Sequence, residues 1–464
     1  MKAQSGGLVR GLGLFDATTL IVGSVIGSGI FFAPAYMASL LQTPGLLLGL
    51  WLLGGLLTLA GALSYGEMAA ALPRAGGQYV FLSEALGPLW GFLYGWTFLL
   101  AINTGILAAV SVAFAKTLGF FVPAVGEARA LVRLGPIGVS SAQAVALLVI
   151  AILTYLNITG LRTGALVQNT FTVAKVAAVL VLVALAVAVG RGSWSHLRPL
   201  FGIELGAEGA RLGLSAALAG AMAKALCAYD CWNSVTFAAE EVKDPERNLP
   251  RALIFGTLGV TAIYCTAVAV YLYMVPISEM AGVPEQRIAT EAAVRMIGPG
   301  GGALIAAAIL ASTFGCANGV TLGGARVVYA MARDGLFFER VAAVDPRYRT
   351  PAAALVLHGV VAGLLTLTGT YGNLLDLTAF SSLMFNALAV ASLFVLRRSR
   401  PDLPRPYSVW GYPVVPLFYL AVAAFFLVKI PAANPTYAGL GLLLTLTGVP
   451  AYFYWRRPER AAAR

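Results

Sequence analysis

Apolar runs of span length recur along the whole chain, at 15–41, 44–70, 89–122, 141–158, 167–190, 212–238, 251–274, 302–332, 352–369, 373–396, 411–430 and 436–455. Hydrocarbon offers a backbone no hydrogen-bonding partner, so a run of about 20 such residues crosses a bilayer as a helix. The alternating ten-residue strands of a membrane barrel do not occur. The runs predict an all-α integral membrane protein with twelve transmembrane helices. Composition agrees: 59% of the 464 residues are hydrophobic and 11% charged, where soluble domains carry roughly a quarter charged. The polar start, "MKAQSGGLVRGLG", lacks a small-residue cleavage pattern and predicts no removable signal peptide.

Basic residues set the expected orientation. With the N-terminus inside, twenty Lys and Arg fall in inner segments and nine in outer ones, which puts both termini in the cytoplasm and the chain in a cell inner membrane. The net charge of +11 follows from that asymmetry and calls for no nucleic acid. Only Lys175 and Lys224 of the 31 basic residues lie well inside spans, together with one acid, Asp230. Ionisable groups at such depth are costly and mark pathways or coupling sites.

No catalytic set is visible. Cys227, Cys231, Cys265 and Cys316 all fall inside spans. Two thiols one turn apart without a nearby His make a poor zinc site and a poor disulfide, so they read as small apolar residues. His196 and His358 have no ligand neighbours, and nucleotide-binding and triad patterns are missing. No metal, cofactor or catalytic residue is expected.

The first run, "LIVGSVIGSGIFFAP", is interrupted from within. Gly23 and Gly27 alone would suit close helix packing. With a third glycine, Gly29, after Ser28, the three together lower helix stability by about 3 kcal/mol relative to alanine and permit unwinding. An unwound segment in mid-membrane must face a cavity or protein, and it offers the N–H groups of the following half-helix to an anion such as a carboxylate. A second interruption falls in "AKALCAYDCWNSVTFAAEEVKDPERNLP", with Asp230 and Asn233 at membrane depth. Paired breaks suggest two inverted repeats, 15–190 (spans 1–5) and 191–396 (spans 6–10), with discontinuous helices 1 and 6. Spans 11 and 12 follow at 397–455, between cytoplasmic ends at 1–14 and 456–464.

Five segments carry a resemblance: "GSVIGSGIF" in span one, "QNTFTVAK" in span five, "CAYDCWN" then "EEVKDPERNLP" at span six, "STFGCANG" with "ARVVYAMARDGL" in span eight, and "RRSRPDLPRPY" after span ten. In this order they resemble the amino acid-polyamine-organocation (APC) superfamily and, within it, a bacterial member of the L-type amino acid transporter (LAT) family. The resemblance implies that a substrate carboxylate meets the N–H groups of Ser28 and Gly29, and its ammonium the carbonyls of Val25, Cys227 and Asp230. Ile26, Gly27, Ala228, Tyr229 and Asn233 complete the expected binding set. Lys175 matches the lysine of sodium-independent members, at about 12 Å into its span, with Ser312 beside it in the coupling site. Cys316 and Ser382 are expected at a gate or pocket wall.

Two departures bear on specificity. An aromatic lid usually stands where this chain has Cys227, which leaves Tyr229 as a gate or favours a bulkier substrate. "YDCW" is close to the "YDGW" form of relatives that accept cationic substrates and cystine, while Lys224 could instead neutralise Asp230 internally. Animal LAT proteins form a disulfide with a single-pass glycoprotein through an outer-loop cysteine; "VPAVGEARALVRLGPIGV" has none, so no disulfide-linked heavy chain is expected. The implied function is sodium-independent alternating-access transport of L-amino acids, as exchange of neutral and, where Asp230 is free to act, cationic substrates. Proton-coupled symport with Lys175 titrating shares every site residue. A membrane-embedded enzyme or a channel needs no matched breaks and stands third.

Overall fold

Each apolar run is helical in the computed structural model, which describes residues 8–126, 130–134, 137–283, 287–368, 371–433 and 435–456. The expected terminal segments therefore fall largely outside the described residues. The first run is split into α1 (Leu14–Val25) and α2 (Gly29–Leu40), followed by α3 (Pro44–Ala71) and the short α4 (Gln78–Leu86). The third run is α5 (Pro88–Thr97) and α6 (Asn103–Leu118), joined by a π-helical turn at Phe98–Ile102. Then come α7 (Ser141–Ile158), α8 (Leu161–Val189) and α9 (Ala207–Leu212). The sixth run is split into α10 (Leu214–Tyr229) and α11 (Ser234–Phe237). The remainder is α12 (Pro245–Met274), α13 (Ile277–Met280), α14 (Ile288–Ile297), α15 (Pro299–Arg333), α16 (Ala352–Thr368), α17 (Tyr371–Ser399), α18 (Val414–Ala433) and α19 (Pro435–Trp455).

Local chemistry explains many ends. Proline opens α3, α5, α12 and α15, where its missing N–H would have had no helical acceptor. Ser140 and Gln143 cap α7 reciprocally: Gln143 N donates to the serine hydroxyl (3.2 Å) and Ser140 N to the Gln143 side chain (2.9 Å). Among the described residues, ten helical stretches are long and apolar enough to cross a membrane. The other two expected spans, α10 and α16, are apolar but only 16 and 17 residues long. One hairpin, β1 (Ala130–Leu134) against β2 (Ile137–Ser140), stands outside the all-helical expectation, in the loop between α6 and α7.

Two placements correct the sequence reading. α8 starts at Leu161 rather than 167, because Gly160 makes the preceding turn at φ 143°. Lys175 consequently lies about 21 Å from the start of its helix, deeper than the spacing of apolar residues suggested. Arg326, counted with the basic residues of inner loops and span ends, lies well within α15 at 1% exposure and pairs with Glu241 at 0%, its Nε and Nη2 donating over 2.7 and 3.1 Å. Glu67 on α3 is likewise buried, accepting from Arg397 at 2.9 and 2.6 Å and from Val409 N at 2.8 Å. Such pairs survive burial because each charge meets a geometrically matched partner. The "RRSRPDLPRPY" segment is thereby tied around Glu67.

The helix that matters most is enclosed. α1 is surrounded by α8, α12 and α15, while α2 packs on α10. The two interrupted runs thus meet at the centre of the bundle.

Candidate substrate site at two helix breaks

The first break is built from backbone held by side chains of other helices. α1 stops at Val25, Ile26 leaves the helix at ψ 84°, and Gly27 N donates back to Val25 O over 2.8 Å. Lys175 reaches it from α8, its Nζ donating to Gly23 O (2.8 Å), Ile26 O (2.8 Å) and Ser312 O (2.9 Å). These three acceptors saturate the three donors of an ammonium group. Its position at the carboxyl end of α1 also places it at the negative end of that helix dipole. Ser312 on α15 adds a hydroxyl that donates to Ile26 O (2.9 Å) and Gly27 O (3.2 Å). Gly315 makes room for this approach: a Cβ there would stand 3.3 Å from Lys175 Nζ and 2.7 Å from Phe171 Cβ.

The second break is organised differently. α10 ends at Tyr229, and Asp230 caps the chain that follows by accepting from Cys231 N on its own carboxylate (2.8 Å). Cys231 then adopts φ 68°, the left-handed region that costs a side-chain-bearing residue about 1–2 kcal/mol. Ser382 of α17 lines the same small spaces as Asp230.

The two breaks enclose a cavity of about 290 Å³. Val25, Gly27, Ser28 and Gly29 line it from the first break, Cys227, Ala228, Asp230 and Cys231 from the second, and Cys316 from α15. The opening amides of α2 lie at this wall, where a helix has donors but no preceding carbonyls of its own. Gly29 also sets how closely the breaks approach, since a Cβ on it would sit 2.7 Å from Ala228 Cβ. Phe32 and Tyr36 of α2 supply aromatic walls at the side where Cys227 lacks one.

Several expected residues stand elsewhere. Ile26 is fully buried behind the break, with Lys175 and Ser312. Tyr229 faces away from the cavity: its ring packs on Trp51 and Tyr264, and its hydroxyl donates to Trp51 O (3.0 Å), so it is no lid in this conformation. Asn233 and Ser382 line a smaller space on the far side of Asp230, with Asn233 donating to Gln78 (3.1 Å) and Asn386 (3.3 Å). Lys224 and Asp230 both line the cavity. The Lys224 ammonium lies over the Tyr36 ring, 5.2 Å from its centre.

Two contributors were not foreseen. Tyr264 on α12 is fully buried, and its hydroxyl lies 2.8 Å from Val25 O and 2.9 Å from Ala228 O. One hydroxyl proton is thus shared between the carboxyl ends of α1 and α10, and Val25 O already has a protein donor. Nothing in "YCTAVAVYLYM" distinguishes Tyr264 from Tyr271 or Tyr273. Ser24 also lines the cavity, and its carbonyl accepts from Cys316 Sγ at 2.9 Å.

The sequence matches the amino acid permease profile over residues 12–449. The chain belongs to the amino acid permease family of the APC superfamily. This permease is 31% identical to the serine/threonine exchanger SteT of Bacillus subtilis (strain 168), over 98% of both chains. It is 30% identical to the human b(0,+)-type amino acid transporter 1, covering 97% of the permease and 89% of the relative. The human large neutral amino acids transporter small subunit 2 is also 30% identical, over 99% and 84% respectively. These are multi-pass membrane transporters of amino acids rather than enzymes, and the permease is one of them.

Proposed function

We propose that this permease exchanges L-amino acids across the cell membrane by alternating access, without sodium. The observation that carries the reading is the Lys175 ammonium, which fills the carbonyl set at the carboxyl end of α1 between α8 and α15. A fixed cation there leaves no vacancy for a mobile one. The substrate carboxylate is assigned to the opening amides of α2 at Ser28 and Gly29, and its ammonium to the carboxyl ends of α1 and α10, where the Val25 and Ala228 carbonyls, positioned by the Tyr264 hydroxyl, each keep a second lone pair. Neutral amino acids come first, in keeping with relatives named for serine, threonine and large neutral amino acids. Asp230 adds the capacity for cationic side chains, with Lys224 placed to oppose it.

The architecture proposed is twelve spans, arranged as inverted repeats at 15–190 and 191–396 followed by 397–455, with both termini cytoplasmic. The permease works without a disulfide-linked heavy chain. Counterflow in proteoliposomes at fixed pH tests the mechanism. Labelled uptake should accelerate with internal unlabelled amino acid and be indifferent to replacing sodium by choline. A steep sodium requirement overturns the role of Lys175, and uptake into empty vesicles driven by an inward proton gradient replaces exchange by symport.

A further inference from the structure

A second cavity, of about 210 Å³, lies far from the helix breaks, between α8, α14 and α15. Its lining is apolar throughout, with Leu182, Ala293, Met296 and Ile305 as a buried floor and Ala177 and Leu304 among the exposed rims. Along α8 it extends from Ala174 to Leu185, about 16 Å at 1.5 Å per residue. Small side chains at Ala174, Ala177 and Ala178 create the trough, and both long helices that flank it, α8 and α15, are of membrane-crossing type. The groove therefore faces hydrocarbon.

One end of the groove is marked by charge. Arg191, just past the end of α8, is exposed and donates through Nη1 to the carbonyl of Met296, a floor residue, over 3.2 Å. Among the described residues it forms no ion pair, whereas nearby Arg295 is neutralised by Glu291 and Glu279, at 2.8 Å each. Trp194 follows, 73% exposed and packed on Tyr273, the amphipathic anchor expected at headgroup depth. A guanidinium without a carboxylate at that level is the complement of a phosphate.

We infer that this groove is a binding site for one acyl chain of an anionic phospholipid, with the lipid phosphate on Arg191. The seated chain packs behind α8 and α15, the two helices that deliver Lys175 and Ser312 to the first break. Native mass spectrometry of delipidated protein, offered phosphatidylglycerol or phosphatidylethanolamine with identical chains, tests this. Wild type should retain phosphatidylglycerol preferentially. Ala178→Phe, or Ala308→Leu from the opposite wall should the first variant misfold, should fill the groove and lose retention of both lipids. Arg191→Gln should keep the chain but reduce the headgroup preference by about fivefold. Leu180→Phe, on the exposed face of α8 outside the groove, should behave as wild type. Undiminished retention in both groove-filling variants, or an unchanged headgroup preference in Arg191→Gln, would overturn the assignment.

Discussion

The two helix breaks solve the same problem by opposite means. The first is glycine-rich and immobilised from outside, by an ammonium with all three donors engaged and by the Ser312 hydroxyl. The second is capped by its own Asp230, contains a left-handed Cys231, and presents its carboxylate to the cavity. The first break is thus a rigid backbone surface suited to what all amino acids share. On the proposed function, the second holds the side chains that tell one substrate from another. Tyr264 bridges them, hydrogen-bonded to one carbonyl from each.

The largest expected effect comes from removing the external support of the first break. Lys175→Ala strips donors from three buried carbonyls, at about 1–3 kcal/mol for each unsatisfied group. Exchange in proteoliposomes should be lost while the folded protein is still recovered in detergent. Wild-type exchange rates in Lys175→Ala would remove the contrast between the two breaks. Next is Gly29→Val, which should abolish transport, because its Cβ would lie 2.7 Å from Ala228 Cβ. Pairing Gly29→Ala with Ala228→Gly removes that contact and leaves the new Cβ 2.9 Å from the Cα of residue 228, the milder of the two approaches. Both substitutions keep the N–H of residue 29, so normal transport in the pair would show that Gly29 serves helix packing and not close approach of the ligand to that amide.

Tyr264→Phe sharpens the coupling between the breaks. It deletes the shared donor, worth about 1 kcal/mol net and more if the carbonyls stay dry, so kcat/KM for exchange should fall roughly tenfold with the fold intact. An unchanged kcat/KM would mean that the breaks act independently. A smaller, selective effect belongs to the second break: Asp230→Asn should weaken inhibition by Arg and Lys but not by Leu. Lys224→Ala should strengthen inhibition by Arg, a gain lost in the double variant; equal Arg-to-Leu ratios in all three make Asp230 structural. The smallest is Cys231→Gly, which relieves the left-handed conformation and should stabilise by about 1 kcal/mol, read as a raised melting temperature with transport retained.

Much of this was legible in one dimension because it depends on local chemistry. The lengths of the apolar runs follow from hydrocarbon being unable to satisfy a backbone, and the glycine spacing at 23, 27 and 29 announces a break wherever the helix finally lies. Lys175, Lys224 and Asp230 stood out because charge in an apolar run is rare. Which groups they meet was not legible, and only the fold sets Asp230 beside Ser382 and Lys224 over Tyr36.

The sequence by itself determined that the chain is a helical membrane protein and where its first helix must fail, since both follow from backbone hydrogen bonding and residue-by-residue propensity. Tertiary structure alone decided what holds that failure in place. Lys175 and the carbonyl of Gly23 are 152 residues apart, Tyr264 and that of Val25 are 239 apart, and Arg326 and Glu241 are 85 apart. A contact of this kind leaves no periodic trace, because side-chain direction after a long excursion depends on how whole helices pack rather than on any neighbour in sequence. Tyr264 is the clearest case: one tyrosine among several on its helix acquires its role solely because the fold brings the ends of α1 and α10 to the same hydroxyl.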